Sequence, residues 1–232
     1  MNNDKICMLC AGRRCGSQYA AELIAKNLGY TNLYEPFTSN HVFTIQLQDN
    51  NISVIRNRNV NEITEDRLSR VLSMLESNYH NKVVLKYFIG DLDETQEFFL
   101  INSLQKLGFT FILNKRQDIE MQLLSFGVAC STNIWHKTSK TVINDKTIVV
   151  DPVDVVYSYN QIKIFDERIK LLNLYNLDTI TYETTITDIE RLLECTLDES
   201  IIYLQKIIDS EYPYNNISNA LEIKKFIESI IT

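Results

Sequence analysis

The chain has 232 residues, of which 45% are hydrophobic and 10% aromatic, and this is enough to build a sizeable core. Only 6 Gly and 3 Pro are present, which excludes fibrous, collagen-like and low-complexity proteins. Lys and Arg total 23 against 30 Asp and Glu, so the formal net charge is −7. We therefore expect no nucleic-acid partner, and any anionic ligand must be held by a local site.

The five cysteines do not form the pattern of a disulfide framework, because their number is odd and Cys7, Cys10 and Cys15 crowd into nine residues. A zinc site is also disfavoured. Cys7 and Cys10 would lie on opposite faces of one strand, with no His or fourth Cys near them. Neither a signal peptide nor a membrane-spanning segment is visible in the sequence. We expect a cytoplasmic protein without a metal or a membrane partner.

The N-terminal segment predicts a strand, a loop and a helix. Residues 5–11 form a nearly continuous apolar run that stops at Gly12, a pattern typical of a strand buried on both faces. Over 17–28 the apolar residues recur at helical spacing, and Gly29 suits the C-terminal cap. The loop between these two elements lies where a parallel sheet would bind a ligand.

The alternation of strands and helices continues along the chain. Segments 83–89 and 109–113 indicate further buried strands, and helical patterns follow each of them. The other predicted elements are helices over 93–107 and from 118 to about 136, a hairpin within 141–150, a helix at about 153–176, a strand at 177–182, and a mainly helical part from about 184 that is broken near Tyr212. The pattern predicts a single α/β domain with a parallel sheet covered on both faces.

The loop after the first predicted strand has the composition of a phosphate-binding loop. Backbone N–H groups at a helix N-terminus are unpaired and the helix dipole is positive there; Gly16 permits close approach, and Ser17 adds a hydroxyl donor. Arg13 and Arg14 supply countercharge. Three residues separate Gly12 from Gly16 and no Lys follows, so the loop departs from that of nucleotide triphosphatases. A solvated turn remains the alternative interpretation.

Four short motifs then occur in a recognisable order. The loop segment 13–17 reads Arg-Arg-Cys-Gly-Ser, and Glu-Pro-Phe follows at 35–37. The strand and turn at 111–118 end in Lys-Arg-Gln-Asp, with Ser125 on the next helix, and 179–183 ends in Tyr-Glu. This arrangement resembles sulfotransferases that use 3′-phosphoadenosine 5′-phosphosulfate, especially bacterial carbohydrate sulfotransferases. Their loop reads Pro-Arg-Ser/Thr-Gly-Ser/Thr.

The resemblance implies both an architecture and an activity. The expected fold is a three-layer sandwich with a central parallel sheet, of the P-loop nucleotide-hydrolase-like kind, in one domain over 1–232. The expected reaction moves a sulfuryl group from 3′-phosphoadenosine 5′-phosphosulfate to a hydroxyl of a small molecule or carbohydrate. The donor leaves as 3′-phosphoadenosine 5′-phosphate, and no metal is required.

The resemblance also implies residue roles. Arg14 would neutralise charge on the leaving phosphate, and Glu35 would be the general base, with His41 or Asp91 as alternatives. Lys86 is expected either to contact a ligand or to extend its ammonium to solvent. Whether Lys115 or Arg116 takes the 3′-phosphate stays open. The expected donor-binding residues are Arg13, Arg14, Cys15, Gly16, Ser17, Gln18, Arg116 and Ser125.

Two alternative functions remain open at this point. Arg13 and Cys15 depart from the sulfotransferase loop, which is consistent with a non-catalytic nucleotide-binding protein. The segment from Cys10 onward also resembles low-molecular-weight tyrosine phosphatases, with Asp151-Pro152 similar to their general acid. However, Gly16 stands where those enzymes need an Arg to clamp the transferring phosphoryl group.

Overall fold

Residues 4–37, 42–48, 51–57, 65–77, 82–135, 148–198, 200 and 217–231 are described by the computed structural model. The strands are β1 (Lys5–Cys10), β2 (Thr31–Asn32), β3 (Val42–Gln48), β4 (Asn51–Asn57), β5 (Val83–Phe88), β6 (Thr110–Lys115) and β7 (Thr179–Thr181). Five of these form a parallel sheet in the order β2-β5-β1-β6-β7, whereas β3 and β4 form a separate antiparallel hairpin.

Helices cover both faces of the parallel sheet. They are α1 (Ser17–Leu28), α2 (Glu65–Ser77), α3 (Glu94–Lys106), α4 (Ile119–Thr132), α5 (Pro152–Leu171), α6 (Thr185–Leu193) and α7 (Ala220–Ile231). Helices α1 and α6 pack on one face, and α2, α3 and α5 pack on the other. A third apolar cluster joins α4, α5 and α7. The predicted α/β class, with a parallel sheet flanked by helices, is confirmed.

Strand β1 is the centre of the core. All six of its residues are buried, because helices lie over both faces of the sheet and a strand pairs with each edge of β1. Cys7 packs among the side chains of α2, α3 and α5, whereas Cys10 faces α1. The prediction that these cysteines lie on opposite faces is confirmed. Within the described ranges, no group of three or more His, Cys, Asp or Glu residues is arranged to hold a metal ion.

The order of the strands changes direction between β1 and β6, and the crevice is the point at the carboxyl ends of these strands where the two loops diverge. The chain leaves β1 toward β2 on one side of the sheet, and it leaves β6 toward β7 on the other. Loops that diverge in this way open a gap at the carboxyl ends of the two strands, where open α/β sheets bind ligands. The loops that follow β1 and β6 therefore face each other across this crevice.

Two helix ends differ from the predictions. Helix α4 ends at Thr132 and not near residue 136, because Asn133 adopts a left-handed conformation with φ of 56°. Trp135 consequently lies beyond the helix and not on it. Helix α5 ends at Leu171, a few residues short of its predicted end. No described helix is long and apolar enough to cross a membrane.

Some predictions concern residues that the structure does not describe, and some observed elements had no prediction. The predicted hairpin within 141–150 is described only from Ile148, which forms a parallel bridge with Ile217. The predicted break near Tyr212 lies outside the described residues. The β3–β4 hairpin and α2 had not been predicted from the sequence. The C-terminal part from about 184 includes α6 and α7, in agreement with its predicted helical character.

Candidate functional site

The loop from β1 to α1 turns the chain sharply at the head of the helix. Gly12, Arg14 and Gly16 all have positive φ, at 73°, 69° and 84°. Gly16 is the N-cap of α1 and has no side chain to cap the helix, and no acidic residue lies in the first turn. The amides and the dipole at this helix end are therefore suited to an anion, as the sequence predicts.

Helix α4 holds the carbonyl side of this loop. The amide Nε2 of Gln122 donates to the backbone oxygens of Ala11 at 2.7 Å and Arg13 at 3.1 Å. The backbone N–H of Ala11 donates to the carbonyl of Asn114 on β6 at 2.9 Å. Sequence reasoning did not assign Gln122 a site role, although it precedes Ser125 by three residues on the same helical face. These bonds shape the loop before any ligand binds.

Arg14 reaches across the crevice to α4 and the segment after it. Its Nε donates to the Ser125 hydroxyl at 3.0 Å, and its Nη1 donates to the backbone oxygen of Trp135. No described carboxylate forms an ion pair with Arg14. Burial, together with the nearby charge of Arg116, lowers the pKa of Arg14 to about 10. Two predicted donor-binding residues that are 111 positions apart are thus in direct contact.

Arg116 approaches the same place from the end of β6. Its guanidinium lies 4.5 Å from the centre of the Tyr182 ring, and its Nε is 3.7 Å from Glu183 Oε1. The Glu183 carboxylate also accepts hydrogen bonds from the backbone N–H groups of Gln117 and Asp118. The buried Arg116 Nε has no hydrogen-bond partner among the described residues. Arg116 therefore keeps donor capacity next to the loop.

The neighbouring cation lies on the other side of the sheet. The Lys115 ammonium is 5.1 Å from the centre of the Phe165 ring and 3.5 Å from Asp166, both on α5. Alternation along a strand sends successive side chains to opposite faces, so only one of the two cations can face the loop. Of these two candidates, Arg116 is the one beside Arg14.

A buried ion pair joins β5 to the segment after β2, and a hydrogen bond joins the same lysine to α1. The Lys86 ammonium is 2.8 Å from Glu35 Oε1 and 2.6 Å from Gln18 Oε1. The side chain of Lys86 is 2% exposed and that of Glu35 is 18% exposed. The prediction that Lys86 would contact a ligand or extend to solvent did not include this pairing. The Glu35 carboxylate is thereby anchored to the middle of β5.

The remaining predicted residues lie around the loop. Arg13 pairs with Asp91 at 3.6 Å and stacks on the Phe88 ring at 5.1 Å. Asp91 lies in the turn after β5, and Glu97 Oε1 accepts a bond of 2.8 Å from the backbone N–H of Gly90 in that turn. The Gln18 side chain is held by Lys86 and also donates to Glu22, so its contribution to an anion site would come from its backbone amide. His41 lies outside the described residues.

Two thiols lie beneath the loop. Burial raises the pKa of Cys10 well above its ordinary value. Burial also opposes ionisation of Cys15, but hydrogen bonds from Cys10 and Ser17 and the charge of Lys86 outweigh it, and the net effect is to lower the pKa of Cys15. A phosphatase mechanism needs Cys10 as a thiolate nucleophile. The observed environment of Cys10 counts against that alternative.

The second feature of the phosphatase interpretation has a structural role instead. Asp151 is the N-cap of α5, and its carboxylate accepts a hydrogen bond from the Val153 backbone N–H at 2.9 Å. Pro152 occupies the first helical position, where its missing N–H costs nothing. The Asp-Pro pair is thus accounted for by helix initiation.

The comparisons with known proteins do not assign a family. No protein-family model matches the chain, and no curated protein is significantly similar to it. The chemistry of the chain is therefore set out by the crevice, where the positive end of α1, two guanidinium groups and a hydroxyl group lie near the carboxylate that Lys86 anchors.

Adding one methyl group at Gly16 tests how closely Tyr182 packs on the loop. Gly16→Ala would bring a Cβ to 2.2 Å from Tyr182 Cδ2, at a residue whose φ is 84°. We expect the substitution to lower the free energy of unfolding by about 1–2 kcal/mol from the left-handed backbone alone. The overlap with Tyr182 adds roughly 1–3 kcal/mol. Urea unfolding of the variant measures the sum.

Gly29→Ala is the matched control for this measurement. Gly29 has φ of 72°, and a Cβ built there meets no atom within 4 Å. The control should therefore show only the cost of the backbone conformation. Equal losses of stability in Gly16→Ala and Gly29→Ala would contradict the close packing of Tyr182 on the loop.

Proposed function

We propose that this protein transfers a sulfuryl group from 3′-phosphoadenosine 5′-phosphosulfate to a hydroxyl of a small molecule or carbohydrate. The observation that carries the proposal is that Arg14, Arg116 and Ser125 lie together beside the N-terminus of α1. Two guanidinium groups of like charge repel each other, and an anion between them relieves the repulsion. A donor with phosphate groups at two ends of one ribose would occupy both parts of this cluster.

The two phosphates of the donor have separate partners in this proposal. Backbone amides from Arg14 to Gln18 bind the 5′-phosphate at the head of α1. Arg116 and the Ser125 hydroxyl bind the 3′-phosphate on the β6 side of the crevice. Arg14 lies between these groups, and its charge stabilises the negative charge that builds on the 5′-phosphate as it leaves.

The transfer itself needs an acceptor hydroxyl in line with the leaving phosphate. The acceptor oxygen attacks sulfur, the bond between sulfur and the 5′-phosphate oxygen breaks, and Glu35 takes the hydroxyl proton. Lys86 keeps the Glu35 carboxylate oriented through the contact of 2.8 Å. The protein contributes position and charge, while the donor supplies the reacting group.

A non-catalytic nucleotide-binding protein is the second candidate, and one observation favours it. The ion pair with Lys86 occupies Glu35 Oε1, and the Lys86 ammonium competes with an incoming proton for that oxygen. A binding protein would use the same cluster of Arg14, Arg116 and Ser125 without any proton acceptor. The two candidates therefore differ only in whether the bound donor turns over.

An assay with the donor labelled in its sulfuryl group separates the two candidates. We expect the wild-type protein to transfer the label to a mixture of carbohydrate and phenolic acceptors. Glu35→Gln should abolish transfer but still show the rise in Tm that 3′-phosphoadenosine 5′-phosphate gives by binding the folded state. Glu222→Gln, at an exposed position on α7, is the matched control.

Each outcome of this assay has a defined meaning. Binding of the nucleotide without transfer by the wild type would favour the binding protein. Failure of the nucleotide to raise the Tm of the wild type would contradict both candidates, since both use the same anion-binding cluster.

A further inference from the structure

The turn that carries Asp91 is fixed by two helices. The Gly90 backbone N–H and the Tyr87 hydroxyl both donate to Glu97 Oε1 on α3, at 2.8 Å and 2.6 Å. Gly90 also packs on α5, because a Cβ built on it would lie 2.6 Å from Ile164 Cγ2. The fold therefore sets the position of the Asp91 carboxylate before any ligand binds.

Asp91 neutralises a cation of the loop after β1. The Arg13 Nη1 lies 3.6 Å from Asp91 Oδ1, and the two side chains are only 15% and 7% exposed. Salt screens partly buried charges much less than exposed ones, so each charge acts strongly on the other. The backbone oxygen of Arg13 is held by Gln122, which fixes the loop end of the pair. The pair therefore adds little net charge to the crevice, although it contains a guanidinium.

This neutral pair and Glu35 are attached to the same end of β5. Lys86 and Phe88 are two residues apart on that strand, so their side chains lie on one face with about 7 Å between them. Lys86 holds the Glu35 carboxylate at 2.8 Å. The Arg13 guanidinium lies 5.1 Å from the centre of the Phe88 ring. Charges act over about 8–10 Å at ordinary ionic strength, so the pair affects which molecules can bind beside Glu35.

We propose that Asp91 makes the site selective for uncharged acceptors, because its carboxylate neutralises Arg13. In the proposed function, on which this inference rests, the acceptor hydroxyl lies between Glu35 and an anionic donor. An acceptor that is itself an anion is repelled by the donor unless a cation lies beside it. Without Asp91, Arg13 would be that cation. Acceptors without a charge meet no such repulsion, and they are the substrate class that the observed pair favours.

Substitution of the two partners should change the selectivity in opposite directions. Asp91→Asn keeps the size of the side chain but leaves the charge of Arg13 uncompensated, which favours an anionic acceptor. Arg13→Gln leaves the Asp91 carboxylate uncompensated, which disfavours an anionic acceptor further. A pair with a merely structural role would instead weaken transfer to charged and uncharged acceptors alike in both variants.

Acceptors that differ only in charge provide the test. The matched pairs are methyl glucuronamide with methyl glucuronate, and 4-hydroxybenzamide with 4-hydroxybenzoate, each assayed with the donor labelled in its sulfuryl group. We expect the wild type to prefer the amides. Asp91→Asn should raise the ratio of kcat/KM for the anionic member to that for the neutral one by about 10–100-fold, and Arg13→Gln should lower it. Asp178→Asn, at an exposed carboxylate paired with Arg191, is the control and should leave the ratio unchanged.

Several results would overturn this selectivity. An unchanged ratio in Asp91→Asn, or equal use of both members by the wild type, would contradict it. Loss of transfer to every acceptor in Asp91→Asn, with wild-type Tm and nucleotide binding, would assign Asp91 to proton transfer instead. Should Asp91→Asn fail to fold, a ratio that does not fall in Arg13→Gln is the contradicting result.

A wild type that transfers to no acceptor would contradict the proposed function but leave the selectivity open to a binding measurement. That measurement is the rise in Tm that each acceptor gives in the presence of 3′-phosphoadenosine 5′-phosphate. The anionic members should raise the Tm of Asp91→Asn more than that of the wild type. Equal responses of the two proteins to the anionic members would refute the role of Asp91.

Discussion

Replacing Arg14 with alanine is expected to lower kcat/KM for sulfuryl transfer by about 10²–10³-fold, the loss typical of removing one preorganised charge-stabilising donor. Arg14 is the guanidinium that links the loop to Ser125, and no described carboxylate neutralises it. Its charge is therefore available to the leaving phosphate. The affinity for 3′-phosphoadenosine 5′-phosphate should fall because Arg14 pairs with the charged phosphate of this product. The kcat should also fall because negative charge builds on the same phosphate during transfer.

Two further variants define what the loss in Arg14→Ala means. Arg14→Lys keeps the charge but not the fork of donors, and it should recover part of the activity. Arg191→Ala removes a guanidinium that is 56% exposed and pairs with Asp178 and Asp188, so transfer should be unchanged. An Arg14→Ala protein with wild-type Tm and wild-type transfer would refute the assigned role.

The second large effect concerns the stability of the Lys86–Glu35 pair. Glu35→Gln and Lys86→Met are each expected to lower the free energy of unfolding, since removing one partner leaves the other charge uncompensated, which costs about 3–5 kcal/mol when both are fully buried. Glu35→Gln should cost more, because the ammonium that it leaves is 2% exposed, whereas the Glu35 side chain is 18% exposed. Urea unfolding followed by circular dichroism measures both losses.

The double variant tests whether the two residues act as a pair. Lys86→Met combined with Glu35→Gln should be less destabilised than the sum of the single losses, because neither charge is then stranded. The surface pair Lys224 and Glu228 is the matched control, with both side chains about half exposed and 4.0 Å between the charged atoms. Its variants should change stability by about 0.5 kcal/mol or less. Strictly additive losses in the Lys86–Glu35 cycle would mean that the contact contributes no pairing energy.

These two sets of variants probe different parts of the crevice. The Arg14 variants test the positive charge beside the donor phosphate, and the Lys86 variants test how the carboxylate of Glu35 is held. Loss of transfer in Glu35→Gln together with a partial loss in Lys86→Met would show that the carboxylate acts on substrate and that Lys86 positions it, whereas full transfer in Lys86→Met would contradict the positioning role.

Local patterns in the sequence determined the first strand and the first helix closely. The apolar run at the N-terminus predicted β1, and helical spacing with Gly29 predicted α1 with its observed bounds. These features depend on the spacing of apolar residues and on capping by residues a few positions away. The sequence of one short segment is therefore enough to predict them. The same period placed Cys7 and Cys10 on opposite faces.

Other features could not be obtained from local patterns. The early end of α4 depends on a left-handed Asn133, a conformation that non-glycine residues adopt only in particular settings. The β3–β4 hairpin and α2 had no predicted counterpart. Which of Lys115 and Arg116 lies on the side of the loop depended on the face of β6 that turns toward it, and this is set by the register of the sheet.

The sequence by itself determined that a glycine-containing loop with two arginines joins a buried strand to a helix, because those residues are adjacent in the chain. Only the tertiary structure decided that Arg14 contacts Ser125, that Lys86 contacts Glu35, and that Cys15 contacts Asn114. These partners come from separate strands and helices, and their contacts exist only once the strands are ordered in the sheet. Strand order reflects the burial of whole faces and not any local pattern, which is why the chemistry of the crevice emerges at that level.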